Sequence, residues 1–168
     1  LASALRVEAR RAARIAARLL AFAAQRPPER ARTDVNRVAL DALELRRHAL
    51  RAEGVDIALE LDYDLPPTWA DAHQLQQVLL NLVTNAEHAL SLVSDGRRLV
   101  LRSRRDGDRL LVSVVDSGPG MSPEEVARAL DPVDPLAAGG GVPAGGGGLG
   151  LSISDGIVRE HGGRLVVE

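Results

Sequence analysis

The chain has 168 residues, 45% of them apolar but only 2% aromatic, with 16 Gly, 9 Pro, no Cys and a net charge of −2. That length fits one domain plus an appendage, with a core of Leu, Val, Ile and Ala; the lack of Cys excludes disulfides and thiolate metal sites and fits a cytoplasmic protein. There is no Lys, which excludes both a Walker phosphate loop and a eukaryotic-type kinase, since each needs a Lys at a fixed place.

No window approaches eighteen apolar residues, and the start lacks a signal-peptide pattern. The charge is unevenly spread. Residues 1–52 hold twelve Arg against five acids, and residues 53–168 hold nine Arg against eighteen acids. With no aromatic residues interleaved for stacking, the basic segment reads as a solvated helix face, and no nucleic-acid partner is expected.

Residues 1–25 form an expected helix, with Leu5, Ala9, Ala12, Ala16, Leu19 and Ala23 as an apolar seam and Arg10, Arg14 and Arg18 on another side. It opens without an N-cap, as a fragment beginning mid-helix would, and its small-residue seam needs a partner helix. Pro27-Pro28 ends it. Thr33 or Asp34 then caps a helix to about Ala52, closed by Gly54 as C-cap. Its His48 reads as a surface residue. Residues 55–62 alternate as a half-buried strand, and Leu65-Pro66-Pro67 makes a rigid crossing.

Asp71 caps the longest amphipathic stretch, 71–92. Leu75, Val78, Leu79, Leu82, Val83, Ala86 and Leu90 build one buried face. Gln77, Asn81, Asn85 and His88 stack as a second stripe. Asn is a poor helix former, and a solvated face usually carries Glu, Lys or Arg, so this stripe calls for a ligand or a loop to cap.

Strands at 98–105 and 109–115 flank a hairpin turn at Asp106-Gly107-Asp108. Asp116-Ser117-Gly118-Pro119-Gly120-Met121 follows directly. Ser122 and Pro123 start a short helix to about Leu130. Residues 131–148 are an aperiodic Gly, Pro and Ala loop, 149–161 a helix closed by Gly162-Gly163, and Arg164–Glu168 the start of a strand that the chain end cuts short. The order implies an α/β fold, a two-layer sandwich of a mixed sheet with helices on one face, preceded by a long helix.

Gly145, Gly147 and Gly150 satisfy a dinucleotide fingerprint, but no strand precedes them, so that reading is rejected. What survives is backbone N–H groups at a helix start, which suit phosphate. Asp116 at a strand end can accept a hydrogen bond from an exocyclic amine. Amide oxygens can serve as hard ligands for a Mg²⁺ that also takes phosphate and water. Together these describe a nucleotide site.

The stretches 74–90 (QLQQVLLNLVTNAEHAL), 116–121 (DSGPGM) and 146–163 (GGGLGLSISDGIVREHGG) resemble the N, G1 and G2 boxes of the catalytic ATP-binding domain of bacterial two-component sensor histidine kinases. That family shares its ATP site, the Bergerat-type fold, with gyrase, Hsp90 and MutL. Segment 1–52 resembles the second helix of the dimerisation and phosphoacceptor domain with its connection. The implied division is 1–32, part of that helix and a linker, and 33–168, the ATP-binding domain without its last strand.

The resemblance implies ATP and Mg²⁺ as cofactors, with Asn85 on the metal and Asn81 supporting metal and phosphates. His88 stands where a basic residue often contacts phosphate, so Asn81 and His88 are the candidate catalytic residues. Asp116 would recognise the adenine amine, with Gly118, Gly120 and Met121 shaping the base pocket. Gly146, Gly148, Leu149, Gly150 and Leu151 would form the lid hinge near the phosphates. Gyrase-like relatives carry a Glu at Asn81 that activates water; an amide cannot act as a general base. The implied activity is therefore γ-phosphoryl transfer to a histidine on a missing phosphoacceptor helix, from which a response regulator takes it.

A homodimer is implied for a full-length parent, with membrane anchoring of that parent left open. None of His48, His73, His88 and His161 fits the acceptor. The family's lid usually holds Phe and a basic residue. Here Leu130-Asp131-Pro132-Val133-Asp134-Pro135 has neither, which keeps open the alternative of a degenerate nucleotide-binding scaffold without phosphotransfer.

Overall fold

A computed structural model describes residues 28–129 and 148–168. The expected helix over 1–25, the lid sequence and Gly146 lie outside the described residues. The elements are β1 (Ala31–Thr33), α1 (Val35–Ala52), β2 (Asp56–Glu60), β3 (Thr68–Ala70), α2 (Ala72–Ser91), β4 (Arg98–Asp106), β5 (Arg109–Asp116), α3 (Pro123–Ala129) and α4 (Gly148–Glu160).

Both long helices start where a carboxylate can serve their unpaired N–H groups. Asp34 accepts from the backbone N–H of Asn36 at 2.9 Å and of Arg37 at 3.2 Å, which settles the cap of α1 on Asp34 rather than Thr33. Asp71 does the same for α2, from His73 at 2.9 Å and Gln74 at 3.1 Å. At the far end of α1 the cap is Glu53, not Gly54. Glu53 and Gly54 donate back to Ala49 and Arg51, and Val55 to Leu50, so the glycine expected as the cap stands one residue beyond it.

The core forms where the apolar faces of α1 and α2 meet the sheet. Val38, Ala42, Leu43 and Leu50 of α1 pack with Leu79, Val83, Ala86 and Leu90 of α2 and with Leu99 and Leu101 of β4. Leu43, Leu50, Leu90, Leu99 and Leu101 are fully buried, and each such Leu contributes about 1.5–3 kcal/mol relative to an exposed position. Arg46 of α1 grips Glu87 of α2 at the edge of this seam, with Nε to Oε2 at 2.8 Å and Nη2 to Oε1 at 2.6 Å.

The main sheet has the order β2-β4-β5. β2 runs parallel to β4, which requires the crossover that α2 supplies, and β4 pairs antiparallel with β5 around the two-residue turn. Alternation along β4 sends Leu99, Leu101 and Ser103 to the helices and Arg98, Arg102 and Arg104 to solvent. On the solvent face Arg102 pairs with Glu60 of β2 at 2.7 Å. That bond, helped by the charges of Arg102 and Arg98, outweighs the opposing effect of desolvation and holds the Glu60 carboxyl below its ordinary value. The mixed sheet with helices on one face is the expected α/β arrangement.

Two differences from expectation concern strands. A second, two-stranded sheet pairs β1 with β3, Arg32 opposite Trp69, and Thr33 Oγ1 adds a 2.8 Å bond to the Ala70 carbonyl. Three-residue strands are too short to show alternation, so neither was legible. Conversely, Arg164–Glu168 is not a strand. Its sequence alternates, but a strand exists through its ladder of hydrogen bonds, and among the described residues none pairs with it. Among the described residues no helix is long and apolar enough to cross a membrane.

Candidate functional site

α2 is the spine of the site. Asn81, Asn85 and Ala89 lie four residues apart on one face, about 6 Å per step along the axis. At the level of Asn81 sits the first turn of α4. A Cβ built on Gly150 would run into the Asn81 amide, so the glycine backbone packs directly against it. The Asn81 Nδ2 also donates to Ser154 Oγ at 3.0 Å. At the level of Ala89 sits the turn after β5. A Cβ on Gly118 would lie 2.7 Å from both Ala89 Cβ and Asp116 Oδ1. Only glycine lets these two segments come so close to the helix.

Asn85 lies between them. Its amide Nδ2 is buried without a hydrogen-bond partner among the described residues. A buried, unsatisfied amide is expensive, and such exceptions mark places where a partner is to be found. Turning the amide over would present its oxygen in the same place, and an amide oxygen is a ligand that Mg²⁺ accepts. Among the described residues no cluster of three His, Cys, Asp or Glu could hold a metal by itself. A divalent cation here would take its other ligands from phosphate and water, so the residues fit a nucleotide-borne Mg²⁺.

Asp116 shares the helix-side face with its cross-strand partner Leu99, so its carboxylate opens beside α2. One oxygen accepts from the Gly118 N–H at 2.9 Å, which shapes the turn. Ser117, which the sequence reading left without a role, holds that turn to β4. It accepts from the Arg98 N–H at 2.9 Å and donates to the Gly96 carbonyl at 2.7 Å. Gly120 has φ +73 and Met121 is exposed beyond it.

His88 is exposed in the last turn of α2. Gly148 and Leu149 open α4, and Leu151 is buried. Asn81, Asn85, Asp116, Gly118 and Gly150 are thus gathered around α2, His88 is on its rim, and Gly146 lies outside the described residues.

The far ends of α2 and α4 are joined as well. The His161 Nδ1 bonds the Ile157 carbonyl at 2.8 Å, so it carries the proton and leaves Nε2 to accept from the Asp71 N–H at 3.0 Å. Asp71 Oδ2 accepts from the Glu29 N–H at 2.8 Å, and Arg30 donates to the Glu160 carbonyl. Burial alone would raise the Asp71 carboxyl, but the N–H groups of Gln74, Glu29 and His73, with the charge of His73, outweigh it and hold it below its ordinary value. His161 was read from sequence only as a helix end. No local signal could show its partner ninety residues away.

Comparison with known proteins agrees with this geometry. Residues 70–168 match the family described as histidine kinase-, DNA gyrase B-, and HSP90-like ATPase. The C4-dicarboxylate transport sensor protein DctS of Rhodobacter capsulatus is 31% identical over 159 residues, which are 94% of this chain and 23% of that protein. Full-length histidine kinase ShkA in complex with AMPPNP superposes with a TM-score of 0.69 at 28% identity, over 90% of this chain and 32% of that one.

Histidine kinase ThkA in complex with the response regulator TrrA gives a TM-score of 0.73 at 25% identity, over 93% of this chain and 42% of that one. The chain spans less than half the length of the curated relatives it matches. The match over residues 70–168, in the fold of histidine kinase catalytic domains, places this chain in the histidine kinase-, DNA gyrase B- and HSP90-like ATPase family.

Proposed function

We propose that this chain binds Mg-ATP and transfers the γ-phosphoryl group to a histidine on a separate phosphoacceptor helix, as the catalytic part of a homodimeric two-component sensor kinase. The observation that carries the reading is the line Asn81, Asn85, Ala89, with α4 meeting one end and the Asp116 turn the other. It gives a nucleotide a base end and a phosphate end on one helix face. The AMPPNP bound to ShkA and the response regulator bound to ThkA support it.

In this reading Asp116 accepts from the adenine amine, and Gly118 admits the ring by keeping the turn close to Ala89. The phosphates lie toward the first turn of α4, where the N–H groups of a helix start favour anions. Asn85 holds Mg²⁺, which supplies charge neutralisation to the phosphates. Asn81 flanks the phosphates, while the exposed His88 stands on the rim two turns further on, next to Ala89. The Asn81 amide cannot act as a general base toward water, so this position favours transfer over hydrolysis, mainly by positioning and charge.

The test is incubation of the chain with γ-labelled ATP and a phosphoacceptor-helix domain from its own parent protein. Acid-labile label on a histidine is expected. ATP binding without label identifies a nucleotide-binding scaffold instead, and no ATP binding refutes the site.

A further inference from the structure

Ser154 has no role in the assignments above, yet it is 2% exposed and bonds the side chain at the phosphate end of the site. It stands one turn after Gly150, so both present the same face of α4 to α2. Of the buried residues around it on α4, Leu151 and Ile157 are apolar and Asp155 is charged and paired with Arg159. A hydroxyl among them costs desolvation unless it is bonded, and its bond is to Asn81. An asparagine amide turns through a broad range about its last torsion. Here it is held from two sides, by the Ser154 Oγ on Nδ2 and by the Gly150 backbone packed against its Oδ1/Nδ2 edge.

We propose that Ser154 is a positioning residue that fixes the Asn81 amide against the first turn of α4, so that the phosphate end of the site is set before nucleotide arrives. The inference rests on the Mg-ATP reading above. Its consequence is selective. Loss of the hydroxyl frees the Asn81 amide and loosens the first turn of α4 from α2. The Asp116 turn, two helical turns away at Ala89, keeps its own anchors on Gly118, Ser117 and Arg98.

The test compares wild type, Ser154→Ala and Ser154→Thr in the full chain, by calorimetric titration with ATP and with adenosine in Mg²⁺, by melting, and by the ¹⁵N side-chain amide resonances of Asn81. Ser154→Ala should weaken ATP about tenfold through lost preorganisation of the Asn81 amide. It should leave adenosine affinity nearly unchanged, lower the melting temperature of the free chain by a few degrees through the lost buried bond, and move the Asn81 resonances. Ser154→Thr should restore both ATP affinity and resonances.

Wild-type affinity for ATP in Ser154→Ala overturns the proposal, and so does an equal loss of ATP and adenosine, which marks a merely structural role. Failure of the wild type to bind either ligand refutes the Mg-ATP reading itself, and the positioning role with it. The Asn81 resonances then still report whether the contact exists.

Discussion

Asparagine weakens a helix, and α2 carries two on one face. Asn81 is explained by Ser154 and Gly150. Asn85 has a buried amide nitrogen that nothing among the described residues satisfies. At this scale the proposed base end and phosphate end can be tested separately. Asp116→Ala removes a charged acceptor, so ATP and adenosine should both weaken about ten- to hundredfold, read by calorimetric titration. Gly118→Ala should act in the same direction. Its Cβ would lie 2.7 Å from Ala89 Cβ, so the turn must move off the helix. Equal ATP affinity in that variant would show that the turn does not face the ring. Asp116 and Gly118 stand out in sequence as candidates because one short motif at a strand end holds both. Ser117 and Ser154 do not, because a serine shows its use only through its partner.

Among the elements, α2 matters through what is fastened to it. α4 is held at two levels, by Ser154 on Asn81 and by His161 on the Asp71 N–H. α1 is held by shared core and by the Arg46–Glu87 pair. Glu87 is only 12% exposed in its side chain and Arg46 38%, so the pair lies between the exposed and buried limits. Glu87→Ala should cost about 1–2 kcal/mol, a few degrees of melting temperature. A change no larger than that of a surface substitution would place the pair with exposed bridges.

Asp71 gives a pH dependence whose sign follows from its lowered carboxyl. Its stabilising contribution is complete above the ordinary carboxylate range and is lost as pH falls through the lower folded value. Asp71→Asn keeps a capping oxygen but removes the titration, so acid unfolding of that variant should begin less steeply than in wild type. The caps at Asp34 and Asp71 and the hairpin were readable because they depend on neighbours within four residues. The Arg46–Glu87 pair, 41 residues apart, and the three-residue strands β1 and β3 depend on the finished fold.

For the molecule as a whole, the sheet divides two environments. Its helix side holds the aliphatic core, and its open side carries arginines paired with the acids of β2. The site lies at one end of the helix layer, where β5, α2 and α4 meet, and every element brought there was expected from the sequence. Their approach was not, since Gly118 on Ala89 and Gly150 on Asn81 are contacts across 29 and 69 positions.

On the proposed function the Asn85 amide is kept for a ligand at the expense of the fold, and Asn85→Ala separates the two. Removing a buried, unpartnered donor should leave the melting temperature unchanged or raise it. Calorimetric titration with ATP should then show that the added affinity wild type gains from Mg²⁺ is gone, with adenosine binding retained. A variant that keeps the full Mg²⁺-dependent gain would contradict the account.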